Sequence, residues 1–379
     1  MSSNVAGPKR LNPHRLVRKE VAELLPYIPG KPIRSVRREF GLEKIIKLAS
    51  NECPLEIPQN IVTAITAGIK SISRYPDGHS TGLRQAMADY YRIPAESFLI
   101  GNGAEECIRM ISQAFLNPED DSVIPDPSFD AYRTATSLAS AGITRVPLVD
   151  FHIDLDAVFD SVTHRTKIIW LCSPNNPTGT VILKDEFERF LDRLPDNKIV
   201  ILDQAYWEYL DSREAANALD YIQSDARVIG IRTFSKVYGL AGIRIGFLTA
   251  HPAVIEMVSK VKLPFNVNVL AQAAAMAALN NPDFVHHHLE VIKEERIKLR
   301  KALEERGLQV VPSETNFLFV RLPVDGDELF KHLLPKGIII RPGSIFGWPE
   351  FMRLSVGVAA DNQDFLLKFD HAIKEINLN

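Results

Sequence analysis

Little in this chain points toward a membrane, a nucleic acid or an oxidising compartment. Only three of its 379 residues are cysteine: Cys53, Cys107 and Cys172. They are odd in number, widely spaced and without a Cys-x-x-Cys pair. Reduced thiols are therefore expected, rather than a disulfide framework or a thiolate metal site. No apolar run is long enough to span a bilayer; the strongest, Ile168-Ile169-Trp170-Leu171-Cys172, has the length of a strand. The 44 Lys and Arg against 47 Asp and Glu leave a formal net charge of −3. No global basic field exists to attract nucleic acid or an anionic membrane. Lys9, Arg10, Arg15, Arg18 and Lys19 are followed by no apolar stretch, so they do not read as a secretory leader. Glu20 and Glu23 interrupt that basic run, which argues against a transit peptide, and a cytoplasmic protein is expected. The adjacent histidines His286, His287 and His288 fall in a helical pattern, where neighbours point about 100° apart. They do not converge on one metal ion, and a solvated helix face is expected.

What the chain does have is ordinary globular composition, 46% hydrophobic and 24% charged, at a length that supports one large core and a second smaller one. Between about residues 56 and 250, strand-like apolar runs alternate with helix-like segments, the pattern of an α/β domain with a mainly parallel sheet. Lys167–Cys172, Lys198–Leu202 and Val228–Ile231 are short, rich in Ile and Val, and apolar on both faces. Each runs directly into a polar cluster: Ser173-Pro-Asn-Asn-Pro177, Asp203-Gln-Ala-Tyr206 and Thr233-Phe-Ser-Lys236. Ligand sites in open α/β sheets gather at such carboxyl ends. Beyond residue 265 come two helical stretches, Val267–Leu279 and Phe284–Arg306, and then strands at Phe317–Leu322, Ile338–Arg341 and Met352–Val356. The expected division is a large α/β domain over 46–265 and a linking helix with a smaller α+β domain over 266–379. Residues 1–45 have no core of their own and are expected to pack on that smaller unit or on a partner subunit.

The most specific stretch is Thr233-Phe-Ser-Lys-Val-Tyr-Gly-Leu-Ala-Gly-Ile-Arg-Ile-Gly-Phe247. Most lysines are solvated surface cations, but Lys236 follows a buried strand and is flanked by apolar residues and glycine. A lysine that forms a Schiff base needs a dry pocket and a depressed pKa, and this context supplies both. Ser235 and Arg244 are donors of the kind that hold a phosphate monoester. A second anion anchor is expected at Gly101-Asn-Gly103-Ala104-Glu105-Glu106, a glycine-rich turn opening a helix, where free backbone N–H groups point outward. Ala104 and Glu105 then contribute main-chain amides, while the carboxylates of Glu105 and Glu106 must turn away.

Together these motifs resemble the fold-type I pyridoxal-phosphate (PLP) aminotransferases of class I/II, across nearly the whole chain. Asn176 in Asn-Asn-Pro-Thr-Gly179, Asp203 in Leu-Asp-Gln-Ala-Tyr206 and Lys236 follow in order, about one strand–helix unit apart, with Arg353 in Met-Arg-Leu-Ser-Val-Gly357 after them. The resemblance implies PLP held as a Schiff base on Lys236, with that lysine also moving the substrate's α-proton. It implies that Asp203 keeps the pyridine nitrogen protonated, so that the ring is an electron sink. Asn176 and Tyr206 then face the ring's phenolic oxygen, Phe129 stacks on the ring, and Thr233 belongs to the phosphate turn. Arg353 takes the substrate's acid group, Arg341 is a second candidate for it, and Asn51 lines the pocket mouth. Tyr75 resembles a tyrosine that crosses a dimer interface to the neighbour's phosphate, which implies a homodimer. An amino donor and a 2-oxo acid acceptor are the implied small-molecule partners. Within the group, Pro29-Gly-Lys-Pro32, Lys47–Glu52 and the pair Arg341/Arg353 look most like histidinol-phosphate aminotransferases. Cys53-Pro54-Leu55-Glu56 departs from the Asn-Pro-Leu-Gly usual there. Aromatic amino-acid aminotransferases share nearly all these motifs, and a decarboxylase or oxidase on the same scaffold would use the same Lys236, Asp203 and Asn176.

Overall fold

A computed structural model describes residues 12–13, 16–24, 26, 30–212 and 214–378. Lys9, Arg10, Arg15 and Pro29 lie outside the described residues. Among the described residues, thirteen strands form three sheets. A short strand β1 (Ile46–Lys47) precedes the seven of the central sheet. These are β2 (Phe98–Gly101), β3 (Asp121–Asp126), β4 (Gly142–Pro147), β5 (Thr166–Cys172), β6 (Ile199–Asp203), β7 (Val228–Thr233) and β8 (Gly246–Thr249). Their spatial order is β2-β8-β7-β6-β5-β3-β4, and every pairing is parallel except those of β8. Strand β5 shows why the sheet is apolar on both faces. Ile168 and Trp170 enter one hydrophobic cluster, while Ile169 and Leu171 enter another beneath the opposite layer of helices.

The register brings the chemistry to one edge. Cys172 pairs with Asp203, Thr233 with Gly246 and Gly101 with Gly246. The carboxyl ends of β2, β5, β6 and β7 and the start of the reversed β8 therefore share one rim, as expected for an α/β sheet.

The later chain builds a second sheet in the order β12-β13-β10-β9, from β9 (Val310–Val311), β10 (Phe317–Arg321), β12 (Arg341–Pro342) and β13 (Phe351–Ser355). Its core continues into the helices Gly326–Leu333 and Ala359–Leu378 and the long helix Pro282–Glu304. The run Ile338–Arg341 reads as one strand in the sequence but serves two sheets. β11 (Ile338–Ile339) pairs in parallel with β1, and the chain then turns so that Arg341 pairs with Arg353 of β13. The helix Ile33–Phe40 buries Val36 with Ala49, Leu334 and Ile339. Arg18 turns the other way, its guanidinium donating to Leu138 O at 2.9 Å and Ser140 Oγ at 2.7 Å.

One expectation is overturned. His286 is solvated and beside Glu290, but His288, two helical steps round, is fully buried. Its Nδ1–H donates to the Val237 carbonyl at 2.7 Å, and Tyr209 packs edge-on to its ring. The helix is too enclosed on that side for the histidine run to form a single solvated face.

Candidate active site

Lys236 lies three residues past the end of β7, in the turn that leads back into β8. Its amine reaches Ser50 O at 3.4 Å and stands 5.5 Å from the centre of the Tyr206 ring. Burial pushes its pKa down to about 8, helped by the Arg353 and Arg244 guanidiniums and opposed by Glu52 and Asp203. It lines a cavity of about 330 Å³ shared with Ala104, Glu105, Phe129, Asn176, Asp203, Tyr206, Thr233, Ser235 and Arg244. Ten residues nominated from the sequence thus meet in one space.

Asp203, the last residue of β6, is nearly fully buried. Tyr132 O–H donates to its Oδ2 at 2.7 Å, and the Ala205 N–H donates to Oδ1 at 3.0 Å. Loss of water raises its pKa to about 6, while those two donors and Lys236 hold it down. Tyr206 accepts from Asn51 Nδ2 at 3.0 Å, which leaves its own O–H free to donate. Burial raises the Tyr206 phenol to about 12, so it stays protonated at neutral pH.

At the other end, Gly103 caps the helix Ala104–Phe115 with φ at 87° and no side-chain cap. A Cβ on Gly103 would lie 2.6 Å from Nη2 of Arg244, and one on Gly246 would lie 2.6 Å from the Ala104 nitrogen. Glycine at both positions is what lets the helix start and the arginine approach each other. The two carboxylates turn away: Glu105 pairs with Arg109, and Glu106 accepts from Asn102 N–H and Asn266 Nδ2. Thr233 Oγ1 accepts from the Ser235 N–H at 3.0 Å and braces the turn. This end suits a phosphate: amide N–H groups at a helix start, a hydroxyl and a guanidinium. The opposite end suits a pyridinium nitrogen facing a buried carboxylate. The residues present therefore fit pyridoxal 5'-phosphate.

A second cavity of about 430 Å³ shares Phe129 and Asn176 with the first and adds Arg341, Phe346 and Arg353. Arg353 donates from Nη1 to Asn176 Oδ1 and from Nη2 to Ala49 O, both at 2.7 Å. Two nominated residues fall elsewhere. Asn51, expected at the mouth, is buried behind Tyr206, where its side-chain oxygen accepts from Ser355 Oγ at 2.9 Å; Ser50 and Glu52 line the cavity instead. Its backbone is left-handed, with φ at 54°, and its bonds to Tyr206 and Ser355 hold the side chain inward. Tyr75 is 82% exposed and stacked on Phe265, outside the cavity of its own chain. Sequence reasoning missed Tyr132 and Cys172, which also line the cavity. Tyr132 sits three residues after Phe129 at the start of a helix, a spacing that shares a face.

The family model for aminotransferase class I and II matches residues 43–369. The chain belongs to that family. It is a PLP-dependent aminotransferase by that membership. A histidinol-phosphate aminotransferase from Caldicellulosiruptor saccharolyticus is 40% identical over 361 residues, 95% of this chain and all of that protein. Among solved structures, the Sinorhizobium meliloti histidinol-phosphate aminotransferase in complex with pyridoxal-5'-phosphate matches with a TM-score of 0.87 at 23% identity, covering 95% of this chain and 98% of that one. An L-threonine-O-3-phosphate decarboxylase from Porphyromonas gingivalis matches with a TM-score of 0.78 at 25% identity, covering 87% of this chain and all of that one.

Proposed function

We propose that this aminotransferase moves the amino group of histidinol phosphate to 2-oxoglutarate, in the cytoplasm and as a homodimer. The observation that carries the reading is the convergence of Lys236, Asp203, Asn176 and Tyr206 in one cavity, with Arg341 and Arg353 side by side on the adjoining wall. When bound, the cofactor supplies an electrophilic carbonyl and an electron-withdrawing ring. Lys236 would hold it through Nζ, and once the substrate's own amine had taken over that bond, the freed Nζ, pushed toward the neutral amine, would take and return the substrate's α-proton. Asp203 would hold the pyridine nitrogen, and Phe129 would cover the ring. Asn176 and the O–H of Tyr206 address the phenolic oxygen, with Asn51 holding Tyr206 in place. The Ala104 and Glu105 N–H groups, together with Thr233, Ser235 and Arg244, hold the cofactor phosphate. Residues 46–265 form the cofactor-carrying unit and 266–379 the linking helix and smaller unit.

Arg353, with Arg341 beside it, binds the substrate's acid group; two guanidiniums suit a phosphate dianion and also accept the glutamate carboxylate. The 40% identity to a named histidinol-phosphate aminotransferase supports the same substrate. The dimer is supported by the open phosphate end, where Arg244 and Gly242 are exposed and Tyr75 of a second copy would complete the cradle.

The test is a half-reaction screen of the cofactor-loaded protein against histidinol phosphate, phenylalanine, tyrosine and glutamate, read by the loss of visible absorbance. Fast conversion by histidinol phosphate and glutamate is the expected result. Preference for the aromatic amino acids would replace the substrate assignment. Release of CO2 or peroxide without amino transfer would overturn the reaction.

A further inference from the structure

The hydroxyl that touches Asp203 has no part in the roles above. Tyr132 is fully buried, and its ring is fixed on two sides. It stacks on Trp170 with centroids 4.9 Å apart and an interplanar angle of 11°, and meets Phe129 edge-on at 5.7 Å. Its hydroxyl points at the Oδ2 of Asp203 at 2.7 Å, with the Cys172 thiol also beside it. We propose that Tyr132 is a positioning residue, which holds the Asp203 carboxylate charged and aimed at the cofactor's ring nitrogen while bracing the Phe129 ring that covers the same cofactor. This rests on the PLP assignment and adds to it the residue through which the ring end is kept competent.

The charge on Asp203 depends on how many donors reach it. A carboxylate is acceptor-only and is stable in a buried place only where its oxygens are hydrogen-bonded. Asp203 has one donor on each oxygen, the Tyr132 hydroxyl and the Ala205 amide. The amide is fixed by the backbone, so Tyr132 is the donor a side-chain change can remove. Removing it leaves one oxygen in an apolar wall, which favours the neutral acid, and a neutral acid does not pair with a pyridinium. The same ring supports Phe129, so one side chain sets both the face and the edge of the cofactor site.

Five titratable groups stand around Asp203: Cys107, Tyr132, Cys172, Tyr206 and Lys236. Burial pushes both thiols and both phenols upward, so none of these four changes charge in the mildly acid range. Lys236 titrates near 8, on the alkaline side. Between about pH 5 and 7, the group in this cluster that mainly changes charge is Asp203 itself.

The test uses the full chain freed of cofactor and the analogue 4'-deoxypyridoxine 5'-phosphate, which lacks the aldehyde and cannot bond to Lys236. Its affinity reports the ring and phosphate contacts alone. Wild type, Tyr132→Phe, Asp203→Asn and the double variant are titrated by calorimetry across that pH range. A hydrogen bond to a charged group corresponds to roughly ten- to hundred-fold in binding, so Tyr132→Phe should weaken the analogue by that factor near neutral pH. The ratio to wild type should grow as the pH falls toward about 6, because the variant's carboxyl protonates earlier. The analogue's own titrations cancel in that ratio. In the Asp203→Asn background the hydroxyl has no charge to hold, so the effect of Tyr132→Phe should fall to about two-fold or less. Binding stoichiometry counts folded sites, so a partly unfolded preparation lowers the amplitude and leaves the affinity readable. Equal affinity of Tyr132→Phe and wild type at every pH, or an equal loss in the Asp203→Asn background, overturns the proposal alone. Failure of wild type to bind the analogue, or full binding by Asp203→Asn, overturns the cofactor assignment and this proposal with it.

Discussion

The two ends of the cofactor cavity are built differently. The ring end is sealed within one chain: Tyr132, Cys172 and Asp203 are each at most 2% exposed, and the hydrogen bonds to Asp203 come from that chain. At the phosphate end, Glu105, Gly242 and Arg244 are exposed, and the nominated Tyr75 points away from its own site. The ring end needs dryness, because a carboxylate–pyridinium pair is strong only where water is excluded. The phosphate end needs donors more than dryness, and a helix start supplies them at the surface. One end is thus closed within a single chain, and the other lies open at the surface.

Lys236 stands between the two ends, and its loss should have the largest effect. Lys236→Ala should remove the visible absorbance of the lysine-bound cofactor and cut the rate of amino transfer by about 10³-fold or more. Spectra and single-turnover rates with glutamate check this. Retained colour and rate would show that the site is misassigned and that the comparison between its ends has no centre.

The sealed end carries a stability cost that the open end does not. Asp203 rises from 3.8 to about 6 on folding, so the folded state holds the proton more tightly than the unfolded chain. Stability from this group is full below the unfolded value and is lost as the pH rises through about 6. At neutral pH that corresponds to roughly 3 kcal/mol against the cofactor-free protein. Asp203→Asn should therefore raise the urea midpoint of the cofactor-free chain at pH 7.5 and have little effect near pH 4, while weakening cofactor binding. A variant no more stable than wild type at neutral pH would mean that the carboxylate is better solvated than its burial implies.

How much of this was legible depends on sequence distance. Asp203 ends an Ile- and Val-rich strand, and Asn176 and Lys236 follow such strands within a few residues, so the local pattern alone carried them to the rim of the sheet. Tyr132 acts on Asp203 from 71 residues away, and nothing beside it in the chain announces that contact. Asn51 reads as a mouth residue from the resemblance of its segment, and Ser50 and Glu52 beside it do line the cavity, but its own partner, Ser355, is 304 residues distant. His288 was misplaced because a run of three polar residues hides which one faces inward. The split of Ile338–Arg341 between two sheets has the same origin: period and composition identify a strand but not its partner.

His288 tests whether the long helix supports the lysine turn. It is buried, with its pKa lowered by that burial, and it donates to the carbonyl of Val237, the residue next to Lys236. A histidine depressed on folding makes the unfolded state the better proton binder below about 6.5, so this group lowers stability as the pH falls. His288→Leu leaves the Val237 carbonyl without that donor and should cost about 1–3 kcal/mol in urea unfolding at pH 7.5. The cost should shrink toward pH 5.5, where the wild-type histidine is itself penalised. A pH-independent difference would leave the carbonyl contact standing and remove the protonation argument.

The smallest effect should come from Tyr75, and it bears most directly on the open end. If its hydroxyl completes the phosphate cradle of a second copy, Tyr75→Phe removes one hydrogen bond to an anion, about 1–1.5 kcal/mol, and speeds cofactor release by roughly ten-fold. Since the ring of Tyr75 stacks on Phe265 at 4.6 Å, the phenylalanine keeps that packing and isolates the hydroxyl. A subunit contribution also makes release depend on assembly, so dilution of wild type below the dimer's dissociation constant should loosen the cofactor by the same factor. Tyr132→Phe should keep that dependence, because it leaves Tyr75 in place and its own partner lies in the same chain. Release from Tyr75→Phe equal to wild type would close the open end within one subunit and erase the contrast with the ring end. Release that is faster in both variants but concentration-dependent only for wild type and Tyr132→Phe would make it quantitative.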